Sequence, residues 1–487
     1  MVFSSFDFVW VFLPITYLLF LIVNRMFPRA NGALLLAASV IFYSYWSVLY
    51  LPLLLGSIAV NYALGFIIHR RGVLKLGVAL NLALLFWFKY AAFVLGIFTS
   101  GDIASDILGN VIIPLGISFY TFQQISYLVD VKRGDAARSG PFTYAAYVSL
   151  FPQLIAGPIV RYASIEMQLK GMLRGVPTRR LIVLFSSGLF LFALGLFKKV
   201  VLADGLANWA DPVFAQALVG PISQSDAILG TLAYTFQLYF DFSGYSDMAL
   251  GLGRMFGLYL PMNFFSPYKS RSIADFWRRW HISLSFFVRD YIYIPLGGNR
   301  KGVARQALNL FFAFILIGIW HGAGWTFVVW GVAHALMVLV STFNRRLPLL
   351  KAIPPLPMVM AVGVTFVCAA LAWIPFRAET LDASWTILSS IFGSETEKTL
   401  FVAIGEERLG MIAVGLSALV AFFAPNALQW LGSRRHALLF GQAWPTGHYM
   451  KRDWRRRWLL PVMTALALYI ALSSMELEPS SFIYFNF

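Results

Sequence analysis

Long apolar runs follow one another along the chain and are separated by short polar segments. They occupy residues 5–24, 31–50, 76–98, 181–197, 357–376 and 457–475. Each run is roughly 20 residues long, about the length that an α-helix needs to cross the hydrocarbon core of a bilayer. A helix satisfies its backbone polar groups internally, as lipid requires. The pattern therefore predicts an all-α polytopic membrane protein.

Lysine and arginine are concentrated in alternate connecting segments. They cluster at 25–29, 70–75, 132–138, 161–180, 271–301, 345–346 and 434–457, and the segments between are poor in basic residues and often acidic. This is the positive-inside pattern of cytoplasmic loops, and it predicts about twelve full crossings with both termini outside the cytoplasm. Lys198 and Lys199 fall at an outer end and break the pattern. The number of crossings between residues 181 and 245 therefore stays open.

The composition argues against a soluble protein. Of the 487 residues, 59% are apolar and 12% are charged, whereas soluble domains average about 25% charged residues. The net charge of +16 does not indicate nucleic-acid binding, because the basic residues are spread over alternate loops. Cys368 is the single cysteine, so no disulfide is expected within the chain and a structural thiol is the simplest reading. The first apolar run lacks a basic leader and a small-residue cleavage site, and is interpreted as a retained helix.

Residues 241–305 interrupt the apolar pattern with closely mixed aromatic, polar and basic residues. This block is too polar for lipid-facing helices and too aromatic for a solvated loop. Irregular backbone at membrane depth is tolerated only where protein buries it or water reaches it. We therefore expect short, tilted or re-entrant helices that line an internal cavity. The segment FPQLIAGPIVRY at 151–162, with two prolines and a glycine, is interpreted in the same way.

His321 lies in the uncharged stretch FFAFILIGIWHGAGWTFVVWGVAHAL, residues 311–336. Ionisable groups inside a membrane are costly and by default mark a functional site. A neutral imidazole can take up a proton at working pH, as a general base must. The alternative is a histidine that bonds a neighbouring carbonyl and only packs helices together. For His334, thirteen residues further on, this packing role is the favoured interpretation.

His281 lies in FWRRWHISLS. On a continuous helix, Trp277 and His281 would share one face, while Arg278 and Arg279 would point toward phosphate or lipid headgroups. The segment is therefore either a second polar group of the cavity with guanidinium groups for an anionic ligand, or an interfacial belt of aromatic and basic residues.

Asp241 and Asp247 lie at the start of the mixed block. They are candidates to orient a histidine or form an ion pathway. The alternative is that they cap short helices or pair with Arg254.

Soluble-enzyme motifs do not account for the chain. PLGGNRKG lacks the spacing of a P-loop, and no HExxH, GxSxG or GxGxxG pattern appears in a suitable setting. The final residues, EPSSFIYFNF, are too aromatic for a disordered tail. We expect this tail to dock in an outward groove of this protein or of a partner, or to anchor at the membrane interface.

Four segments of the sequence resemble those of the membrane-bound O-acyltransferase family, and the resemblance extends over nearly the whole chain. They are QLYFDFSGYSDMALGLGRMFG, DFWRRWHISLSFFVRDYIYIPLGGNRKG, IWHGAGWTFVVWGVAH and FPQLIAGPIVR. The bacterial branch with the alginate O-acetyltransferase AlgI and the teichoic-acid D-alanyl transferase DltB is the most similar. This resemblance implies one integral domain over 1–487, a ring of about 11–13 transmembrane helices with short re-entrant helices around a central funnel. It places the catalytic core at 241–336 and an outward aromatic tail at 476–487.

The resemblance also implies residue roles. The family's histidine in WHG corresponds to His321 and its second histidine to His281, both expected to be catalytic. Arg278, Arg279 and Arg289 are then candidates to contact CoA phosphates. Because a partner in the D-alanylation system ends in a similar aromatic motif, Tyr484 becomes a candidate acyl acceptor or docking residue.

The implied function is transfer of acetyl from cytoplasmic acetyl-CoA across a bacterial inner membrane toward O-acetylation of an extracytoplasmic polysaccharide, alginate or a similar exopolysaccharide. Lipids and periplasmic polysaccharide-modifying proteins are the expected partners; no metal, permanently bound cofactor or nucleic acid is expected. The polymer stays open among alginate, cellulose, peptidoglycan and teichoic acid. A transporter or a scaffold of a secretion complex is the alternative class, although a transporter would favour matched inverted repeats and a scaffold would leave the two histidines unexplained.

Overall fold

The structure, a computed structural model, describes residues 1–99, 112–138, 140–343, 356–393, 400–401, 406–431, 456–476, 480 and 482–483. Within these residues every regular element is a helix. The first ten α-helices are α1 Leu13–Met26, α2 Asn31–Trp46, α3 Leu51–Ile67, α4 Val73–Lys89, α5 Ala91–Phe98, α6 Ile117–Arg133, α7 Pro141–Ser149, α8 Phe151–Leu154, α9 Tyr162–Met172 and α10 Thr178–Phe197. They are followed by α11 Asp204–Val219, α12 Gln224–Met255, α13 Ile273–Trp277, α14 Ile282–Val288, α15 Val303–His321, α16 Trp325–Phe343, α17 Met358–Arg377, α18 Leu381–Phe392, α19 Glu406–Phe423, α20 Ala427–Trp430 and α21 Arg456–Ser473.

The six apolar runs all fall on helices, which confirms the reading of the hydrophobic pattern. Five helical stretches in the described residues are long and apolar enough to cross a membrane: Phe8–Met26, Thr178–Val219, Val303–His321, Trp325–Phe343 and Met358–Arg377. A sixth would combine α4 and α5, which meet at a bend of 65°. The chain is thus a multi-pass helical membrane protein. The expected number of about 11–13 crossings stays a prediction.

One compact unit comprises Met1–Phe197, Gly244–Met262 and Ala427–Phe485. Within it, α10 and the end of α12 touch through glycines. A Cβ atom at Gly188 would lie 2.6 Å from the carbonyl oxygen of Gly251, and one at Gly195 would lie 2.5 Å from that of Gly244. Only residues without a side chain allow backbones to approach this closely. The two glycine contacts therefore set the separation of these helices.

The second compact unit contains Lys198–Ser243 and Asn263–Asn426. Its central feature is the hairpin of α15 and α16, joined by the short connection around Gly322. The helices meet at Gly318 and Gly331, where an added Cβ would lie 2.5 Å from the carbonyl oxygen of Phe327 and 2.8 Å from that of Phe314, respectively. Helix α17 packs against α16. Whether the two units fold as one domain over 1–487 stays a prediction.

The mixed block folds partly as expected. Residues 241–255 do not form short helices, because they continue the 32-residue α12. Asp241, Ser243 and Asp247 are buried there, so protein rather than lipid surrounds the polar side chains that argued against a long helix. From residue 256 onward short helices do form: irregular backbone leads to α13, α14 and a π-helix at Arg289–Tyr293. That they line an internal cavity stays a prediction. Residues 155–161 after α8 are also irregular, and all of them except Arg161 are buried.

Lys199, one of the two lysines that break the charge pattern, lies inside the protein, whereas Lys198 is half-buried. Lys199 lies on a π-helix, Lys198–Ala203, and its side chain is only 5% exposed. Its Nζ is 2.7 Å from Asp204 Oδ1 and 2.9 Å from Asp241 Oδ1. The positive-inside pattern concerns basic residues in aqueous loops, so a buried lysine that is paired with carboxylates does not count toward it.

For Asp241 the alternative of a pair with Arg254 is wrong, because Asp241 pairs with Lys199. For Asp247 that pairing stays a prediction. The expected capping role is also wrong, since Asp241 and Asp247 lie in the interior of α12. A carboxylate in a helix interior has no free backbone N–H group to cap.

Candidate active site

His321 is the last residue of α15 and is 3% exposed. The helix ends there because Gly322 adopts an extended backbone, with φ −160° and ψ 153°. One turn earlier, the glycine contact between α15 and α16 holds this helix end against its partner helix. The hairpin therefore places an ionisable side chain in the protein interior with little freedom to move.

Aromatic side chains surround the imidazole of His321. Its ring centroid lies 4.8 Å from that of Trp320, 5.2 Å from that of Trp330 and 5.1 Å from that of Phe376, all edge-on. These residues come from α15, α16 and α17, so three helices build the enclosure. Packed aromatic rings fix the orientation of the imidazole, which is a requirement for a positioned general base.

His281 is fully buried, but its local structure differs from the expectation. Helix α13 ends at Trp277, and His281 is the N-cap of α14 with φ 43° and ψ 54°, a left-handed conformation. The prediction that Trp277 and His281 share one helix face is therefore wrong. Complete burial lowers the pKa of His281 to about 3, so its imidazole is neutral at physiological pH. A neutral imidazole offers one N–H donor and one acceptor.

Trp320 connects the two histidines. Its ring centroid lies 4.8 Å from that of His321 and 6.1 Å from that of His281. On its other side, His281 contacts Phe242 of α12, with centroids 4.8 Å apart. The structure therefore brings both predicted histidines, 40 positions apart in the chain, to one aromatic cluster.

His334 belongs to the same cluster through Trp330, with ring centroids 4.7 Å apart. The indole Nε1 of Trp277 donates a hydrogen bond to Nδ1 of His334 over 3.2 Å. Because Nδ1 accepts, a neutral His334 carries its proton on Nε2. This contact supports the packing role expected for His334. The sequence did not predict that Trp277 would be the partner of His334; it showed only that the segment around Trp277 is rich in aromatic residues.

The three candidate phosphate-binding arginines have different surroundings. Arg278 is exposed. Arg279 pairs with Asp275 at 3.1 Å, and Arg289 pairs with its neighbour Asp290 through two contacts of 2.6 and 3.0 Å. Carboxylates compete with phosphate for a guanidinium group. Arg278 is therefore the strongest of the three candidates.

The C-terminal tail is described only in part. Phe482 is 2% exposed, and its ring lies 4.8 Å from that of Tyr245, which in turn stacks on Phe3 at 4.6 Å. The start of the aromatic motif therefore docks in a pocket of this chain, within the first compact unit. Tyr484 lies outside the described residues, so its candidate role stays a prediction.

The chain is similar to known proteins over most of its length. The profile of MBOAT, the membrane-bound O-acyltransferase family, matches residues 41–351. The chain is 43% identical over 406 residues to the probable alginate O-acetylase AlgI of Azotobacter vinelandii, covering 80% of this chain and 78% of that protein. It is 42% identical over 409 residues to the protein of the same name from Pseudomonas aeruginosa PAO1, covering 81% and 76%. It is 40% identical over 427 residues to the peptidoglycan O-acetyltransferase of Helicobacter pylori, covering 79% of each chain.

The matched region contains both buried histidines and most of the helices that enclose them. The matches cover well over half of this chain and more than three quarters of each of these relatives. This chain belongs to the membrane-bound O-acyltransferase family and is an O-acyltransferase.

Proposed function

We propose that this protein is an O-acetyltransferase that moves acetyl from cytoplasmic acetyl-CoA across the inner membrane toward O-acetylation of an extracytoplasmic polysaccharide. The observation that carries the proposal is the aromatic cluster in which Trp320 contacts both His281 and His321. A transporter or a scaffold has no need for two enclosed histidines that contact one indole ring. The relatives named as alginate O-acetylases and as a peptidoglycan O-acetyltransferase support the acetyl group and the polysaccharide class.

In the proposed reaction, His321 is the general base. It accepts the proton of an acceptor hydroxyl as the hydroxyl oxygen attacks the thioester carbonyl carbon. The carbon–sulfur bond then breaks, and the CoA thiolate takes the proton back from the imidazolium. His281 positions the donor or the tetrahedral intermediate, for which the N–H of a neutral imidazole is suited. Arg278 contacts CoA phosphates, with Arg279 and Arg289 as weaker candidates because carboxylates already engage them.

Both termini are proposed to lie in the periplasm, as the charge pattern predicts. Periplasmic polysaccharide-modifying proteins would then receive the acetyl group. An alginate-like exopolysaccharide is the first candidate polymer, and peptidoglycan is the second because of the Helicobacter pylori relative. Cellulose and teichoic acid remain further alternatives from the sequence.

Tyr484 is proposed to act either as a transient acyl carrier or as part of a docking motif. The burial of Phe482 against Tyr245 favours docking, because it seats the motif on this chain two residues before Tyr484. A Tyr484→Phe variant separates the two roles, since it removes the hydroxyl and keeps the ring. Unchanged delivery of acetyl to an acceptor excludes the carrier role, and loss of delivery with CoA binding intact supports it.

The deciding experiment measures CoA release from acetyl-CoA by purified protein and follows a labelled acetyl group. We expect His321→Ala to lower turnover by at least about 100-fold, the usual scale of general-base loss. His69→Ala is the matched control, because His69 is exposed and lies outside the histidine cluster. If the wild type and His321→Ala are both folded and release CoA at the same rate, the transporter and scaffold classes would be favoured over an enzyme.

A further inference from the structure

Two non-glycine residues in the described parts of the chain have a left-handed backbone, Ser266 with φ 46° and His281 with φ 43°. This conformation crowds Cβ against the backbone, so side-chain-bearing residues adopt it only when the surroundings hold them there. His281 also presents one of the two candidate catalytic imidazoles. Whatever holds its backbone therefore decides where that ring points.

The segment around Asn263 lies directly against the His281 turn. The backbone N–H of Ile282 donates to the carbonyl oxygen of Asn263 over 2.9 Å. The backbone N–H and the hydroxyl of Ser283 both donate to Oδ1 of Asn263, over 3.2 and 2.9 Å. A fourth bond, from the N–H of Phe265 to the carbonyl oxygen of Arg279 over 2.9 Å, ties the two segments together on the other side of the turn.

Asn263 thus accepts hydrogen bonds from both residues that follow His281. The left-handed conformation at His281 turns the N–H groups of Ile282 and Ser283 toward the same side, where both can bind nearby hydrogen-bond acceptors. Asn263 is fully buried and Ser283 is 4% exposed. Without the Asn263 side chain, the N–H and the hydroxyl of Ser283 would each lose a hydrogen bond in the interior, and the turn at His281 would lose a contact to the Asn263 segment.

We propose that Asn263 is a positioning residue that holds His281 in the left-handed conformation and so aims its imidazole into the active site. The proposal rests on the proposed function. It assigns to the fully buried Asn263 a role in the reaction although the residue lies 18 positions before His281. The side-chain oxygen is the essential atom, because it accepts two of the bonds.

The test uses Asn263→Leu, which removes the acceptor at similar volume, and Asn263→Asp, which keeps an acceptor oxygen. Each is made in the wild type and in a His281→Ala background, and kcat and KM for acetyl-CoA are measured. We expect Asn263→Leu to lower kcat by about 30-fold or more with KM changed less than about threefold, as for a misplaced catalytic group. Asn263→Asp recovers most of the loss. In the His281→Ala background the Leu substitution changes kcat by less than about threefold, since the group it aims is gone.

Asn81→Leu is the matched control. Asn81 is also a buried asparagine, bonded to Asn61 and to the carbonyl oxygen of Gly77 in the first compact unit. It is expected to lower kcat equally with and without His281. Equal losses for Asn263→Leu in the two backgrounds, or no recovery with Asp, would overturn the positioning role.

Unfolding temperatures provide a readout that does not depend on activity. Glycine adopts the left-handed conformation without strain, so Asn263→Leu should lower the unfolding temperature less in a His281→Gly background than in the wild type. If the wild type releases no CoA, the proposed function fails, whereas the unfolding temperatures still decide whether Asn263 holds the turn. An equal drop in both backgrounds would show that it does not.

Discussion

The contact between α15 and α16 offers a direct test of how the fold positions His321. An ideal Cβ atom at Gly318 would lie 2.5 Å from the carbonyl oxygen of Phe327 and 3.1 Å from Cα of Gly331. Both neighbours are backbone atoms, which cannot rotate out of the way. Gly318→Ala therefore forces the two helices apart or shifts one along the other.

The size of the effect follows from the distances. Ordinary contact begins at 3.4 Å, so the added methyl group is roughly 0.9 Å too close to the Phe327 oxygen. Overpacking of this kind typically costs about 1–3 kcal/mol of stability. His321 lies one turn beyond Gly318 and moves with the helix, relative to Trp330 on α16. A misplacement of about 1 Å at a catalytic group can lower the rate by about 100-fold.

The assay compares kcat and the unfolding temperature of wild type, Gly318→Ala and Gly363→Ala in detergent. Gly363 lies on an exposed face of α17, and an added Cβ there meets no atom within 4 Å. We expect kcat to fall by about 100-fold in Gly318→Ala and to change less than about twofold in Gly363→Ala. A Gly318→Ala variant with wild-type kcat and unfolding temperature would refute the claim that this contact sets the position of His321.

Three further predictions concern contacts away from His321. Lys199→Met removes the ammonium group beside the buried Asp241, so the free energy of unfolding should fall by about 3–5 kcal/mol in a denaturation experiment. Adding Asp241→Leu should restore part of that loss. A loss below about 1 kcal/mol in the single variant would contradict the prediction. Trp277→Phe removes the donor to His334 and should cost about 0.5–1.5 kcal/mol, with no cost expected if the bond contributes nothing. Arg278→Ala should raise KM for acetyl-CoA by about tenfold at unchanged kcat, and an unchanged KM would remove Arg278 from the phosphate site.

The apolar pattern and the recognisable sequence segments were enough to assign the class of the protein and its two central histidines. The hydrophobicity and the length of each apolar run are enough to predict a membrane helix, so these helices could be predicted without knowledge of the fold. The buried His321 was detectable for the same reason, because an ionisable residue in an apolar run is costly unless it has a use. The resemblance in the WHG and FWRRWHISLS segments added His281.

The contacts that hold these histidines in place could be found only in the folded structure. Helix α13 ends at Trp277, and the two residues after the left-handed His281 donate hydrogen bonds to Asn263. Local periodicity contains no information about that partner. The pairing of Lys199 with Asp241 likewise joins residues 42 positions apart. The apolar pattern of a sequence indicates which positions are buried in protein or lipid. Packing decides which residues far apart in the chain come into contact, and the chemistry of the site depends on those contacts.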